Sequence, residues 1–132
     1  MRTDTAWLIA LVMVHLVLAV VHGVAHGGAH VPLSTAALAF VIVVIQLGPL
    51  AGLALTRVQS RAGAAVVAAS MAGALLFGVV NHFVLASPDH VSHVDSEWRL
   101  LFGSTAALLA LSEAGGTLVG LAAVRRYARR LS

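Results

Sequence analysis

The stretch HLVLAVVHGVAHGGAHVPLS, residues 15–34, sets four histidines into a run that is otherwise apolar enough to cross a bilayer. An ionisable side chain inside a membrane span is costly, which makes it a candidate functional group by default. Whether this is a membrane segment or a buried soluble helix depends on the rest of the chain.

The chain has 132 residues, of which 60% are hydrophobic and 10% charged. Its mean hydropathy is +0.97. Soluble domains carry roughly 25% charged residues, so this composition points to the membrane. A spanning helix needs about 20 apolar residues, and four such runs fit at about 6–29, 34–55, 63–86 and 97–124. Together they form one all-α, integral membrane four-helix domain covering residues 1–132, a multi-pass cell-membrane protein with the lipid bilayer as its first partner. The absence of cysteine excludes disulfides, iron–sulfur clusters and thiolate metal sites.

The breaks between spans have local causes. Gly27, Gly28 and Pro32 mark the end of the first span, since Gly favours helix C-termini and Pro cannot continue a helix. Ser34 is a natural N-cap for the second. Pro49 lies inside that second span, where its missing N–H predicts a kink and a freed carbonyl near Ile45, with Gln46 beside it. The fourth span is expected to start at a cap made by Asp95 or Ser96.

Arginine placement predicts the orientation. Arg2, Arg57, Arg61, Arg125, Arg126, Arg129 and Arg130 all fall on one side of a four-span chain, and that side is expected to be cytoplasmic, with both termini. The same placement explains the pI of 11.2 without nucleic acid. Arg99 alone falls on the other side, with Asp89, Asp95 and Glu97. Trp7 and Trp98 are expected at the two interfaces. A cleaved signal peptide is the competing reading of the first span, but the apolar run is long and interrupted by His15.

At about 100° per residue, His15, His22, His26 and His30 lie at 0°, about −20°, about +20° and about +60°, one stripe running from mid-membrane to the outer end. The third span adds Asn81 and His82 in its last outer turn, above a small-residue face of Gly78, Ala74 and Ser70 suited to close packing. The loop SPDHVSHVDSE adds Asp89, His90, His93 and Asp95. His22, His26, His30, His82, His90 and His93 are therefore expected to converge outside, and none of the 7 histidines falls on the cytoplasmic side. Glu113, the one acid deep in a span, matches His15 in depth and is expected to pair with it. Counting along the helix puts Glu113 roughly 15 Å or more below an ion held by the outer loop. The glycine-rich stretch 113–120, EAGGTLVG, reads as a helix-packing face.

Imidazole is the commonest protein metal ligand, and histidine with carboxylate and no thiolate suits zinc, iron, copper or manganese. His22–His26 and His26–His30 are both HxxxH pairs, able to grip one ion from one helix face. Asn81, Asp89, Asp95, Glu113 and His15 are expected as orienting or relay groups around it.

These HxxxH boxes resemble those of the membrane di-iron hydroxylases and desaturases. Those proteins are larger, carry their boxes on the cytoplasmic side and contain HxxHH, which this chain lacks. A four-helix bundle with intramembrane histidines also resembles the dihaem b-type cytochromes; that resemblance implies haem b between His22 or His26 and His82, and leaves the other histidines unused. The expectation is a membrane metalloprotein with a site near the outer leaflet, acting on a lipophilic substrate as an oxidoreductase or hydrolase. The rival expectations are a proton or metal-ion transporter using the stripe and Glu113, or a subunit of a homo-oligomer or larger membrane complex.

Overall fold

The computed structural model describes residues 3–129, so Arg2 and Arg130 lie outside the described residues. The chain is all-helical, with four helices long and apolar enough to cross a membrane: α1 (Thr3–Gly28), α2 (Thr35–Leu55), α3 (Ser60–Val84) and α4 (Ser96–Ala128). Among the described residues there is no strand. α3 begins at Ser60, before the Gly63 expected from apolarity alone, and α4 runs past Val124 through Arg125 and Arg126. Cationic residues at the C-terminal end of a helix complement its dipole, so the arginines extend α4 rather than end it.

α4 packs against both α1 and α3, while α2 packs mainly on α3 and meets α1 through its later part, Gly48–Leu55. The first part of α2 therefore stands off from α1. Helix contact relies on small residues. A side chain at Gly63 would collide with the backbone of Thr56 and would sit 2.6 Å from the Gly52 carbonyl, so α2 and α3 touch backbone to backbone. The arginine-bearing half is filled by Leu8, Val12, Ala64, Val67, Met71, Ala123 and Tyr127. A smaller apolar cluster of Ala25, Ala29, Val94 and Phe102 closes the opposite end, with Trp98 partly buried against it. The expected interfacial Trp98 thus packs inward onto Gly28, where any side chain would strike its ring, whereas Trp7 is exposed. Val17, Val20, Val24, Val43, Leu76, Leu111 and Leu118 all project from the bundle, as lipid contact requires.

Helix ends and interruptions aim the polar residues. Ser34 Oγ accepts from the Ala37 amide at 3.1 Å and starts α2. Asp95 occupies the N-cap position of α4 but makes no side-chain cap. α1 stops when His30 takes a left-handed backbone conformation, φ 53. The Val31 amide then donates to the His26 carbonyl at 3.1 Å and the His30 amide to Gly27 at 3.3 Å, the paired bonds of a Schellman stop. The glycines expected to mark this end lie inside it, and His30 takes the left-handed position.

Two π-helical segments were not foreseen. Val41–Leu47 widens α2 just before Pro49, and Val80–Val84 widens the end of α3, where Leu85 N–H donates to Val80 five residues back at 2.8 Å. Each turns polar groups inward.

The close α2–α3 crossing yields a direct test. Gly63→Ala should lose about 1–3 kcal/mol by overpacking. Gly27→Ala, whose new methyl would meet no atom within 4 Å, should be neutral or stabilising by up to about 1 kcal/mol. Thermal unfolding of both variants in detergent measures the difference.

Candidate metal centre

One ligand nitrogen from each of His22, His26 and His82 lies within 4.8 Å of the other two. His22 and His26 are one turn apart on α1, and His82 reaches them from the widened end of α3. All three rings pack around the fully buried Phe102 of α4, with centroids 4.7, 4.8 and 5.2 Å from its ring.

The hydrogen bonds fix what each ring offers. His82 Nδ1 faces two oxygens of Asp89, the carbonyl at 3.1 Å and Oδ1 at 3.2 Å, so it carries the hydrogen and leaves Nε2 bare. His26 Nδ1–H donates to the Val31 carbonyl at 3.4 Å, which leaves Nε2 bare and facing Asp89 Oδ1 at 3.3 Å, a pair that also calls for a positive centre. His22 Nδ1 lies 2.8 Å from Thr105 Oγ1, whose own hydrogen can go to the Leu101 carbonyl at 2.7 Å. In that arrangement His22 Nε2 is bare as well.

His22 Nε2 and His82 Nε2 are 3.2 Å apart. Two lone pairs cannot face one another at that distance without a positive centre between them. A proton fills the role if His22 Nε2–H donates to His82 and Thr105 donates to His22 Nδ1. A metal ion fills it equally well. With metal–nitrogen bonds of ~2.0–2.1 Å, two ligands of a tetrahedral ion lie about 3.3 Å apart. Each ring also donates its other N–H to a protein oxygen, the arrangement that orients metal-bound imidazoles.

Asp89 borders this group. Its Oδ1 is 3.3 Å from His26 Nε2 and 3.2 Å from His82 Nδ1, yet it is buried and accepts no hydrogen bond, because His82 aims its hydrogen at the Asp89 carbonyl instead. Burial pushes the carboxyl up, but the His82 side chain and the charges on His82, His26 and His22 outweigh it and hold Asp89 below the ordinary carboxylate range. Its stabilising contribution is therefore present above the unfolded carboxylate pKa and is lost as pH falls through its lowered folded value.

The other expected residues are placed elsewhere. The His30 ring is exposed beyond the helix stop. His90 Nδ1 bonds Ser92, with Oγ at 2.7 Å and the amide at 3.2 Å. His93 Nδ1–H donates to the Ser87 carbonyl at 2.6 Å, and the His90 and His93 rings lie 5.4 Å apart as a separate pair. Asn81 donates back to the Phe77 carbonyl at 2.8 Å, and Asp95 is exposed. Thr105 and Phe102 were missed from sequence; the available signal was the stripe of polar residues Thr105, Ser112 and Glu113 along α4, all buried.

Below the histidines lies a cavity of about 320 Å³ enclosed by all four helices and lined by the three histidines, Asp89, Gln46, Glu113 and mainly apolar side chains. Glu113 lines its floor, and the fully buried His15 sits behind Glu113. His15 Nε2–H donates to the Ile45 carbonyl at 3.0 Å, the group freed by Pro49, and His15 Nδ1 lies 3.4 Å from Glu113 Oε1. Glu113 is nearer the histidine group than its position along the helix implies. Glu113 Oε2 and His82 Cδ2 each lie 3.9 Å from the point a Cβ would occupy on Gly78, so at most two such steps separate them. Its side chain rises toward the site, which counting helix rise alone omits.

No protein family, curated protein or solved structure matches this chain.

The surrounding hydrogen bonds define the next test. Thr105→Val, which removes the oxygen that orients His22, and Asp89→Asn should each weaken zinc binding by about 10–100-fold with the helical fold retained. Calorimetric titration in detergent, with circular dichroism as the fold control, measures both. The wild-type affinity should also fall as the solution is acidified, because protons compete for the same imidazole nitrogens.

Proposed function

We propose that this chain is a membrane metalloprotein whose His22, His26 and His82 hold one transition-metal ion near the outer leaflet. In this reading it acts as a metal-dependent enzyme on a small lipophilic molecule. The observation that carries the reading is the set of three imidazoles, each tethered through Nδ1, with Nε2 left to a common centre. Three protein ligands leave a fourth position free, as catalytic zinc sites do, and here the free position borders the cavity. Zinc would support hydrolysis through a bound water; iron or copper would support oxidation. Haem b fits poorly, since axial ligands on opposite faces of one iron lie about 4 Å apart at ~2 Å per bond, and His22 Nε2 and His82 Nε2 are 3.2 Å apart.

The cavity supports the substrate class. Its lining is mostly apolar, and its volume of about 320 Å³ lies at the small end of ligand pockets, which run about 300–1,000 Å³. That suits a compact lipophilic molecule better than a whole phospholipid. Gly23, Leu38 and Ile42 line the cavity and are also exposed on the outside of the bundle, which favours entry from the bilayer between α1 and α2. The packed core of Leu8, Val12, Val67 and Met71 beneath it favours a closed-ended site over a conducting path.

Metal analysis tests the centre. Purified protein loaded with zinc and dialysed should retain about one ion per chain, and His22→Ala or His82→Ala should lose it while remaining helical; unchanged metal content in both variants would refute the assignment. Orientation is tested by single cysteines introduced at Gln59 and Ser92, since the native chain contains none. The reading requires the Ser92 position to label from outside intact cells and the Gln59 position only after permeabilisation.

A further inference from the structure

At the floor of the cavity Glu113 meets a buried partner, His15, in a second unbalanced pair. His15 is fully buried, and its Nε2 must carry a hydrogen because it faces only the Ile45 carbonyl. In the neutral ring that leaves Nδ1 bare, and Nδ1 has no hydrogen-bond partner although Glu113 Oε1 is 3.4 Å away. An ionised carboxylate opposite a bare nitrogen would place two lone pairs and a negative charge together, nearly without water. A cation must sit between them. Among the described residues the only cluster of three or more metal-ligating side chains is His22, His26 and His82, so no third ligand of that kind accompanies His15 and Glu113, and the cation is a proton.

We propose that His15 and Glu113 form a proton store for the cavity: together they hold one proton, with Glu113 in its acid form, and release it when positive charge arrives at the histidine group. Low dielectric favours the neutral pair of carboxylic acid and imidazole over an ion pair. Oε1 faces His15, while Oε2 lies on the Gly78 side, toward His82. The titratable groups sharing the cavity are His22 and His26 of α1, His82 of α3 and Asp89 of the loop; α2 contributes the uncharged Gln46. A divalent ion at the histidines, close by in a poorly screened interior, stabilises the Glu113 carboxylate. The O–H bond of Glu113 then breaks, water takes up the proton, and the carboxylate turns from His15 toward the ion, whose charge replaces that of the proton. The dyad itself stands on the geometry of His15, Ile45 and Glu113; only its discharge rests on the proposed centre.

The full chain allows a specific test. Glu97 and Glu113 are its only glutamates and Glu97 is exposed, so the Glu97→Gln variant labelled with carboxyl-¹³C glutamate reports Glu113 alone. Infrared spectra of the metal-free protein at neutral pH should contain the labelled carbonyl stretch of a protonated acid, and ¹⁵N-histidine spectra should contain one neutral ring protonated at Nε2 that is perturbed by Glu113→Gln. A labelled carboxylate signal at neutral pH would overturn the proposal. Zinc at one equivalent should convert the acid band to carboxylate and release about one more proton per ion than the same addition to Glu113→Gln. An acid band that persists with zinc fully bound would refute the discharge. Failure of zinc to bind would count against the metal centre, while the metal-free spectrum still decides the dyad.

Discussion

The histidine half of this bundle depends on one electrostatic requirement: a buried, bare imidazole nitrogen must face something positive. Three rings create that requirement at one place, and each is tethered from behind by a different part of the fold. The Schellman stop of α1 brings the Val31 carbonyl to His26. The loop after α3 folds back so that Asp89 receives His82, and the helical wall of α4 offers Thr105 to His22. Phe102 fills the space behind all three rings, which keeps them from relaxing away from one another.

The two halves of the bundle are built on opposite rules. In the half bearing the arginines, glycine and alanine bring helices into contact and apolar side chains fill the interior, with the Tyr127 hydroxyl satisfied 3.3 Å from Thr5 Oγ1. In the histidine half, α2 stands away from α1 and the freed space becomes a cavity with polar groups at its top and floor. Pro49 links the two regimes. It cannot donate to the Ile45 carbonyl, the preceding turn widens, and His15 supplies the missing donor from α1. A helix interruption and a buried histidine thus resolve each other's unsatisfied groups, and the second nitrogen of that histidine is turned to Glu113.

Much of this was legible in the chain because membranes simplify the code. Four apolar runs, Ser34 as a cap and the four-residue spacing of His22 and His26 follow from period and composition alone. The freed carbonyl at Ile45 and the pairing of His15 with Glu113 were legible for the same reason, since proline and depth in the span are local properties. What was not legible depends on backbone excursions. The π-helical end of α3 sets the direction of His82, and the left-handed residue at His30 turns that ring outward; neither leaves a periodic signal. Helical rise located the Glu113 backbone but ignored the reach of its side chain. Thr105 looked like an ordinary helical threonine, because its value lies in meeting a ring 83 residues away in sequence.

The central claim is that three imidazole nitrogens converge on a single ion. X-ray absorption spectroscopy at the zinc edge, on protein carrying one zinc per chain in lipid nanodiscs, tests it most directly. The account predicts three imidazole ligands at ~2.0–2.1 Å with one light-atom ligand completing the shell, and loss of one imidazole contribution on replacing His26. A shell of oxygen ligands without imidazole scattering, or an unchanged spectrum after replacing His22, His26 and His82 in turn, would contradict it.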